Sequence, residues 1–157
     1  MTKEPDHNEV HPHIVIAGAG SIGCFVGGML VRGAHRVTFL MRERMVDEIS
    51  RQGLTLTDFL DLDEELSPDL FAMASDPECL ASADIVLVTV KSGATEDMAQ
   101  LIRTHAPKEA IVVSLQNGVG NAAILNAALP DRDVRAGMVP FNVVNMGGSI
   151  VVPAVTS

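Results

Sequence analysis

A doubly wound α/β domain on a mostly parallel sheet is the fold this sequence predicts, and three observations predict it. An apolar strand over residues 13–17 runs straight into a glycine-rich turn and the start of an amphipathic helix. Residues 85–90 and 111–115 are β-branched runs with no polar alternation, the pattern of strands buried on both faces. Helix-period segments separate these runs, so consecutive strands need crossover connections and pair in parallel.

The elements follow in order. Gly18, Gly20 and Gly23 stand at G-x-G-x-x-G spacing where the first strand ends. The strand before and the helix after give that spacing its weight. Gly18 permits the tight turn, Gly20 lets backbone approach a pyrophosphate, and Gly23 lets the helix pack close to the strand. The open N–H groups and partial positive charge of the helix start suit phosphate. Gly18, Ala19, Gly20, Ser21, Ile22 and Gly23 are therefore the candidate cofactor cradle. The helix over residues 21–32 carries an apolar stripe of Ile22, Phe25, Val26, Met29 and Leu30. Gly27 and Gly28 weaken a helix interior, which predicts close packing against the sheet. Gly33 predicts the stop.

A strand over 36–41 and a short helix over 43–52, closed by Gly53, come next. Residues 54–57 alternate like a strand, 58–65 read as an acidic exposed turn, and 70–73 suit another strand. Asp76-Pro77 starts a single helical turn over 78–82. The strand at 85–90 leads to a helix over 95–105, with Met98, Leu101, Ile102 and His105 on one face. Glu96 and Asp97 suit its start and Pro107 its end. After the strand at 111–115, a helix over 121–129 is stopped by Pro130. Residues 134–141 and 150–155 read as a closing antiparallel pair with Gly147-Gly148 as its turn. Residues 1–12 read as a disordered tail and 13–157 as the dinucleotide-binding domain.

The chain has 157 residues, 47% of them hydrophobic, enough for a real core. Its formal net charge of −9 disfavours a nucleic-acid partner, which would demand clustered Lys and Arg. Trp and Tyr are absent, so there is no broad aromatic platform for stacked bases. No apolar run is long enough to span a bilayer, and the polar start is not a secretory signal. Cys24 and Cys79 lie far apart, which suits free thiols in a reducing cytoplasm. Cys24 falls in the first helix, where a buried thiol is expected. The histidines show no metal-ligand spacing.

Ligands of doubly wound sheets bind at the carboxyl ends of the strands. Three such ends are rich in polar or glycine residues: 18–23, 90–93 and 116–120. The second strand ends at Leu40-Met41-Arg42, where NAD-binding folds place an acid for the ribose 2′-hydroxyl. None of these three residues is acidic, and a guanidinium at Arg42 holds a 2′-phosphate by bidentate bonds. The expected cofactor is therefore NADP. Glu43 follows at once and would reach the ribose if the strand ended one residue later. Lys91, one of three lysines, directly follows a buried strand, which favours contact with cofactor or substrate. Asn117 lies in an Asn-Gly turn, which has a conformational explanation as well as a binding one.

Residues 16–23, Arg42, Val88-Thr89-Val90-Lys91-Ser92 and Leu115-Gln116-Asn117-Gly118-Val119-Gly120 together resemble the N-terminal domain of the ketopantoate reductases (2-dehydropantoate 2-reductases). The glycine loop is generic to a superfamily. Lys91 and Asn117 in their motifs, in this order, are far more specific. The resemblance implies a Rossmann-like fold and NADPH-dependent reduction of the ketone of 2-dehydropantoate, a 2-keto acid, on the route to pantothenate. It implies that Lys91 and Asn117 contact the nicotinamide half of the cofactor and the substrate. It also implies that a helical second domain supplies the catalytic lysine. Here Lys3 falls in the tail and Lys108 precedes a strand, at the wrong edge of the sheet. The residues from 13 to 157 are thus expected to bind NADPH with little turnover alone, Lys91 and Asn117 at most assisting. A homodimer or strand swap near residues 150–155 is a corollary. Two other functions fit the same residues: another NADP-dependent 2-keto or 3-hydroxy acid dehydrogenase, and a free-standing nucleotide-sensing module in which Lys91 and Asn117 would be idle.

Overall fold

A computed structural model of the chain describes residues 11–118, 120–146 and 149–151. Its elements are β1 (His13–Ala17), α1 (Ser21–Arg32), β2 (Arg36–Leu40), α2 (Glu43–Gln52), β3 (Leu54–Thr57), β4 (Asp63–Leu66) and β5 (Ala72–Ala74). There follow β6 (Ile85–Val88), α3 (Thr95–His105), β7 (Ile111–Ser114), α4 (Asn121–Ala128), β8 (Val134–Ala136), β9 (Val144–Asn145) and β10 (Ser149–Val151). Short 3-10 turns at Pro68–Leu70, Pro77–Ser82 and Ser92–Ala94 complete the connections.

The main sheet has the order β5-β2-β1-β6-β7-β8, every neighbouring pair parallel. Strand order runs outward in both directions from β1 and β6, so the crevice of a doubly wound sheet opens above their carboxyl ends. Each face of the sheet carries its own core. Ile14 and Ile16 point with Phe39 and Met41 to the side of α1. Val15 and Ala17 point with Val86, Val88 and Val112 to the side of α3 and α4. Burial on both faces is why these strands read as continuous apolar runs. At the far end of β1, the buried His13 ring bridges Thr38 Oγ1 at 2.7 Å and the Ser82 carbonyl at 3.0 Å. The carbonyl only accepts, so Nδ1 carries the proton and Nε2 accepts from Thr38. His13 is therefore a strand tie, far from the crevice.

Helix α1 meets the sheet chiefly through its small residues, and of the apolar stripe only Phe25 is fully buried in the core. Gly23, Cys24, Gly27 and Gly28 are buried, while Ile22, Val26, Met29 and Leu30 are half-buried. A Cβ on Gly27 would run into the Phe39 ring and stand 2.9 Å from Ile16 Cγ1. One on Gly28 would stand 2.7 Å from Leu56 Cδ1. The helix lies closer than large side chains would permit, and these move to its flank, where Phe25 meets Phe141 edge-on at 5.4 Å. The helix stop also differs from expectation. Gly33 has an ordinary φ of −78°, and the left-handed residue is Ala34 at φ 64°. Ala34 N–H donates to Val31 and His35 N–H to Leu30, the bond pair of a Schellman cap.

The second sheet has the order β4-β3-β10-β9, β10 lying parallel to β3 and antiparallel to β9. The acidic stretch is not only a turn. Asp58 Oδ1 accepts from the Leu60 and Leu62 amides, and the chain returns as β4, whose acids face solvent on an exposed edge. Glu64 of β4 pairs with Arg32 at 3.0 Å. The closing antiparallel pair is β9 with β10, not residues 134–141. After β8 the chain leaves the main sheet at Gly137, where a Cβ would stand 2.5 Å from Leu115 Cδ2. Among the described residues β10 is an inner strand of this sheet, with β4 and β9 as its outermost strands. The Gly147-Gly148 turn and residues 152–155 lie outside the described residues.

Gly27→Ala is expected to destabilise the fold by about 2 kcal/mol, because the buried Phe39 ring has nowhere to go. Gly33→Ala, whose Cβ would stand 3.2 Å from the His35 ring and 3.4 Å from the Leu30 carbonyl oxygen, is the control. Urea midpoints of the two variants check this.

Candidate functional site

The glycine loop divides its backbone donors into two sets. Gly18 and Ala19 N–H groups donate to the Leu40 carbonyl at 3.0 and 2.9 Å, and Gly20 N–H donates back to Gly18 at 2.8 Å. These amides fasten the loop to the end of β2. Ser21, Ile22 and Gly23 open α1, so their amides have no carbonyl one turn back, and no side chain caps them. They are the donors left for a ligand.

The three glycines differ as the motif predicts. Gly18 has φ 84°, and a Cβ there would strike Val90. At Gly23 a Cβ would stand 2.5 Å from Thr89 Oγ1 and 2.9 Å from Ile16. At Gly20 nothing stands within 4 Å of where a Cβ would be. The protein fills the first two spaces and leaves the third open above the helix start. Thr89, not singled out in the sequence, donates to the Gly18 carbonyl at 3.2 Å and joins this loop to the end of β6.

Arg42 lies two residues beyond the carbonyl that holds the glycine loop. It is exposed and extended (φ −64°, ψ 145°) and caps α2. Leu40 and Met41 before it are buried and apolar, so the first acid after β2 is Glu43, already inside the helix. Among the described residues, ion pairs join Arg32 to Glu64 and Arg135 to Asp133, which leaves Arg42 and Lys91 unpaired.

Lys91 and Asn117 sit on neighbouring loops above β6 and β7. The sequence missed what joins these loops. Asn121, buried at the start of α4, donates from Nδ2 to Ser92 Oγ at 3.2 Å and to the Asn117 carbonyl at 3.1 Å. Its Oδ1 accepts from Thr95 Oγ1 at 3.0 Å. Gln116 Nε2 donates to Thr95 Oγ1 at 2.7 Å and to the Val90 carbonyl at 3.0 Å. Ser92 Oγ donates to the Asn117 carbonyl at 3.1 Å. Lys91 and Asn117 are exposed, and the Lys91 ammonium and Asn117 carboxamide have no protein partner among the described residues. The only available signal was the position of Asn121, read as a helix start.

The geometry therefore offers three open amides, a free guanidinium on the β2 side, and a free ammonium and carboxamide on the β6–β7 side. That set suits a long anionic ligand lying across the strand ends.

Cys24 lies under this loop, its thiol donating to the Ala19 carbonyl at 3.7 Å. Burial pushes the thiol from 9.0 up to about 12. Unfolded chain deprotonates first, so Cys24 favours the folded state below pH 9 and loses that contribution as pH rises toward 12. At pH 8 the half-buried Cys79 is expected to label with an aromatic disulfide while Cys24 labels only as the fold opens. Stopped-flow thiol counting, with Cys24→Ala as the blank, checks this.

Comparison with known proteins places the site in a family. The family model described as ketopantoate reductase PanE/ApbA matches residues 14–154. The 2-dehydropantoate 2-reductase of Halobacterium salinarum is 34% identical over 79% of this chain and 40% of its own. That of Pyrococcus horikoshii is 34% identical over 69% of this chain and 34% of its own. The chain therefore spans less than half the length of these relatives. The crystal structure of a PanE/ApbA family ketopantoate reductase from Ralstonia eutropha superposes with a TM-score of 0.81 at 36% identity, covering 89% of this chain and 46% of that one. A D-mandelate dehydrogenase with NADH and anilino(oxo)acetate shares the fold at 22% identity, with a TM-score of 0.70 over 89% of this chain and 45% of its own. A match over nearly the whole described chain, with the expected sheet order and glycine loop, establishes that this chain belongs to the ketopantoate reductase family.

Proposed function

We propose that these residues form the NADPH-binding half of an enzyme that reduces 2-dehydropantoate to pantoate in pantothenate biosynthesis. The observation that carries the cofactor is the open space at Gly20 above three uncommitted amides. A pyrophosphate oxygen is what such a space admits and a Cβ would exclude. The unpaired Arg42 supports NADPH over NADH, since its planar fork grips a 2′-phosphate and no acid from β2 competes. Bound NADPH supplies a hydride. The Asn117 carboxamide orients the nicotinamide side, and the Lys91 ammonium favours the charge that grows on the substrate oxygen. The resemblance assigns the catalytic lysine to the second domain, so this stretch taken alone binds cofactor with little turnover.

A 2-keto acid is the proposed substrate class, and a reducing cytoplasm with free Cys24 and Cys79 is the proposed setting. A homodimer is a corollary of the same reading, and Val144 and Met146 are exposed apolar residues that would suit one. The shared fold of the D-mandelate enzyme supports a second reading, a different 2-keto acid handled by the same cofactor half.

Titration of this chain followed by nicotinamide fluorescence tests the assignment. NADPH is expected to bind at least about tenfold more tightly than NADH, a difference of about 1.4 kcal/mol. Equal affinities would overturn the NADP assignment. Arg42→Ala is expected to erase the preference. Gly20→Ala is expected to weaken both cofactors while shifting the unfolding free energy by less than about 0.5 kcal/mol, since its Cβ meets only open space.

A further inference from the structure

We infer that Asn121 is the positioning residue for the nicotinamide side of the crevice, acting through Ser92, Thr95 and the Asn117 carbonyl. The inference rests on the NADPH reading above and adds a residue to it. Lys91 and Asn117 are exposed and hold no partner of their own, so nothing in their side chains fixes where they stand. Their loops are fixed from beneath. Asn121 is 4% exposed and faces both loops at once, with both carboxamide ends bonded. Thr95, fully buried, receives the Gln116 amide and has one proton to share between Asn121 Oδ1 and the Ser92 carbonyl at 2.9 Å. Ser92, next to Lys91, receives from Asn121 and gives its proton to the Asn117 carbonyl.

The donors are therefore spent in one direction along a circuit that starts at Gln116 Nε2, passes through Thr95, Asn121 and Ser92, and ends at the Asn117 carbonyl. Drawing the Asn117 carbonyl inward leaves its carboxamide for the crevice. Gly118 and Gly120, at φ 100° and 99°, permit the turn this requires. A network of this kind acts as a unit, so loss of one member loosens both loops. The adenine side is fastened by its own bonds, from the Gly18 and Ala19 amides to the Leu40 carbonyl, and among the described residues no hydrogen bond joins the glycine loop to Ser92, Thr95 or Asn121.

Two ligands of the same site separate these ends. NADPH spans both, whereas adenosine 2′,5′-bisphosphate occupies only the adenine side. Asn121→Ala and Thr95→Val are each expected to weaken NADPH about tenfold while leaving adenosine 2′,5′-bisphosphate unchanged, as for a lost buried hydrogen bond. Bound-NADPH emission is expected to move toward that of free NADPH in both variants. Thr95→Ser keeps the hydroxyl and is expected to restore the wild-type emission. Unchanged NADPH affinity in the folded variants overturns the inference and leaves the cofactor reading standing. Equal weakening of both ligands also overturns it, because the circuit would then serve only the fold. Failure of the wild-type chain to bind either ligand overturns both readings. If Asn121→Ala does not fold, Thr95→Val decides.

Discussion

The Leu40 carbonyl is the constraint on which the rest of the site depends. It accepts two amides, from Gly18 and Ala19, at the moment the chain turns from β1 into α1. Those two bonds hold the loop flat against the end of β2 and so fix where α1 begins. With the loop's own amides committed, the next three, which open α1, have no partner among the described residues. The same carbonyl sets the distance in sequence to Arg42, two residues on. One acceptor thus ties the donors that suit a pyrophosphate to the cation that suits a 2′-phosphate.

This arrangement requires α1 to lie almost on the sheet, and the packing explains how. Gly23 meets Thr89 and Ile16, and Gly27 meets Ile16 and the Phe39 ring. Glycine in a helix interior costs about 1 kcal/mol relative to alanine. Here the cost is offset by burial of Phe39 and Leu56 against helix backbone. The other side of the crevice is built differently. Above β6 and β7 no glycine-loop backbone holds the functional groups, and side chains of Ser92, Thr95, Gln116 and Asn121 do so. Buried polar side chains suit this task because each bond they make is directional, and each bond they lose is costly.

Much of this was legible in the sequence where one principle governed. The apolar runs around Ile16, Leu87 and Val113 could only be strands of a covered parallel sheet, and Gly18 to Gly23 could only open a helix in that setting. The sequence misled where two principles competed. The stripe of Ile22, Phe25, Val26, Met29 and Leu30 has helical period, yet only Phe25 of it is fully buried, and Gly27 and Gly28, read as close-packing positions, are where the neighbouring side chains come nearest. Asp63 to Glu65 look like loop residues because they are acidic, but acids are at home on an exposed edge strand. Ala34 in place of Gly33 at the left-handed position could not be read, because the cap is closed by backbone bonds, His35 to Leu30 and Ala34 to Val31, that leave no mark in the side chains. The circuit around Asn121 was invisible because each member is an ordinary polar residue, and only the parallel pairing of β6 with β7 brings them together.

The two cores on either side of the main sheet divide the site between them. The core beneath α1 holds Ala19 of the glycine loop and Met41 beside Arg42, while the core beneath α3 and α4 holds Leu40 and packs against Val90 beside Lys91. Only β1 and its neighbour β6, joined by the Thr89 bonds, stand at the seam. Such a layout is modular for descent and for engineering. A change of side chain at Arg42 breaks none of the hydrogen bonds that hold the two loops above β6 and β7. A scaffold laid out this way can vary one end of its crevice while the other keeps its shape.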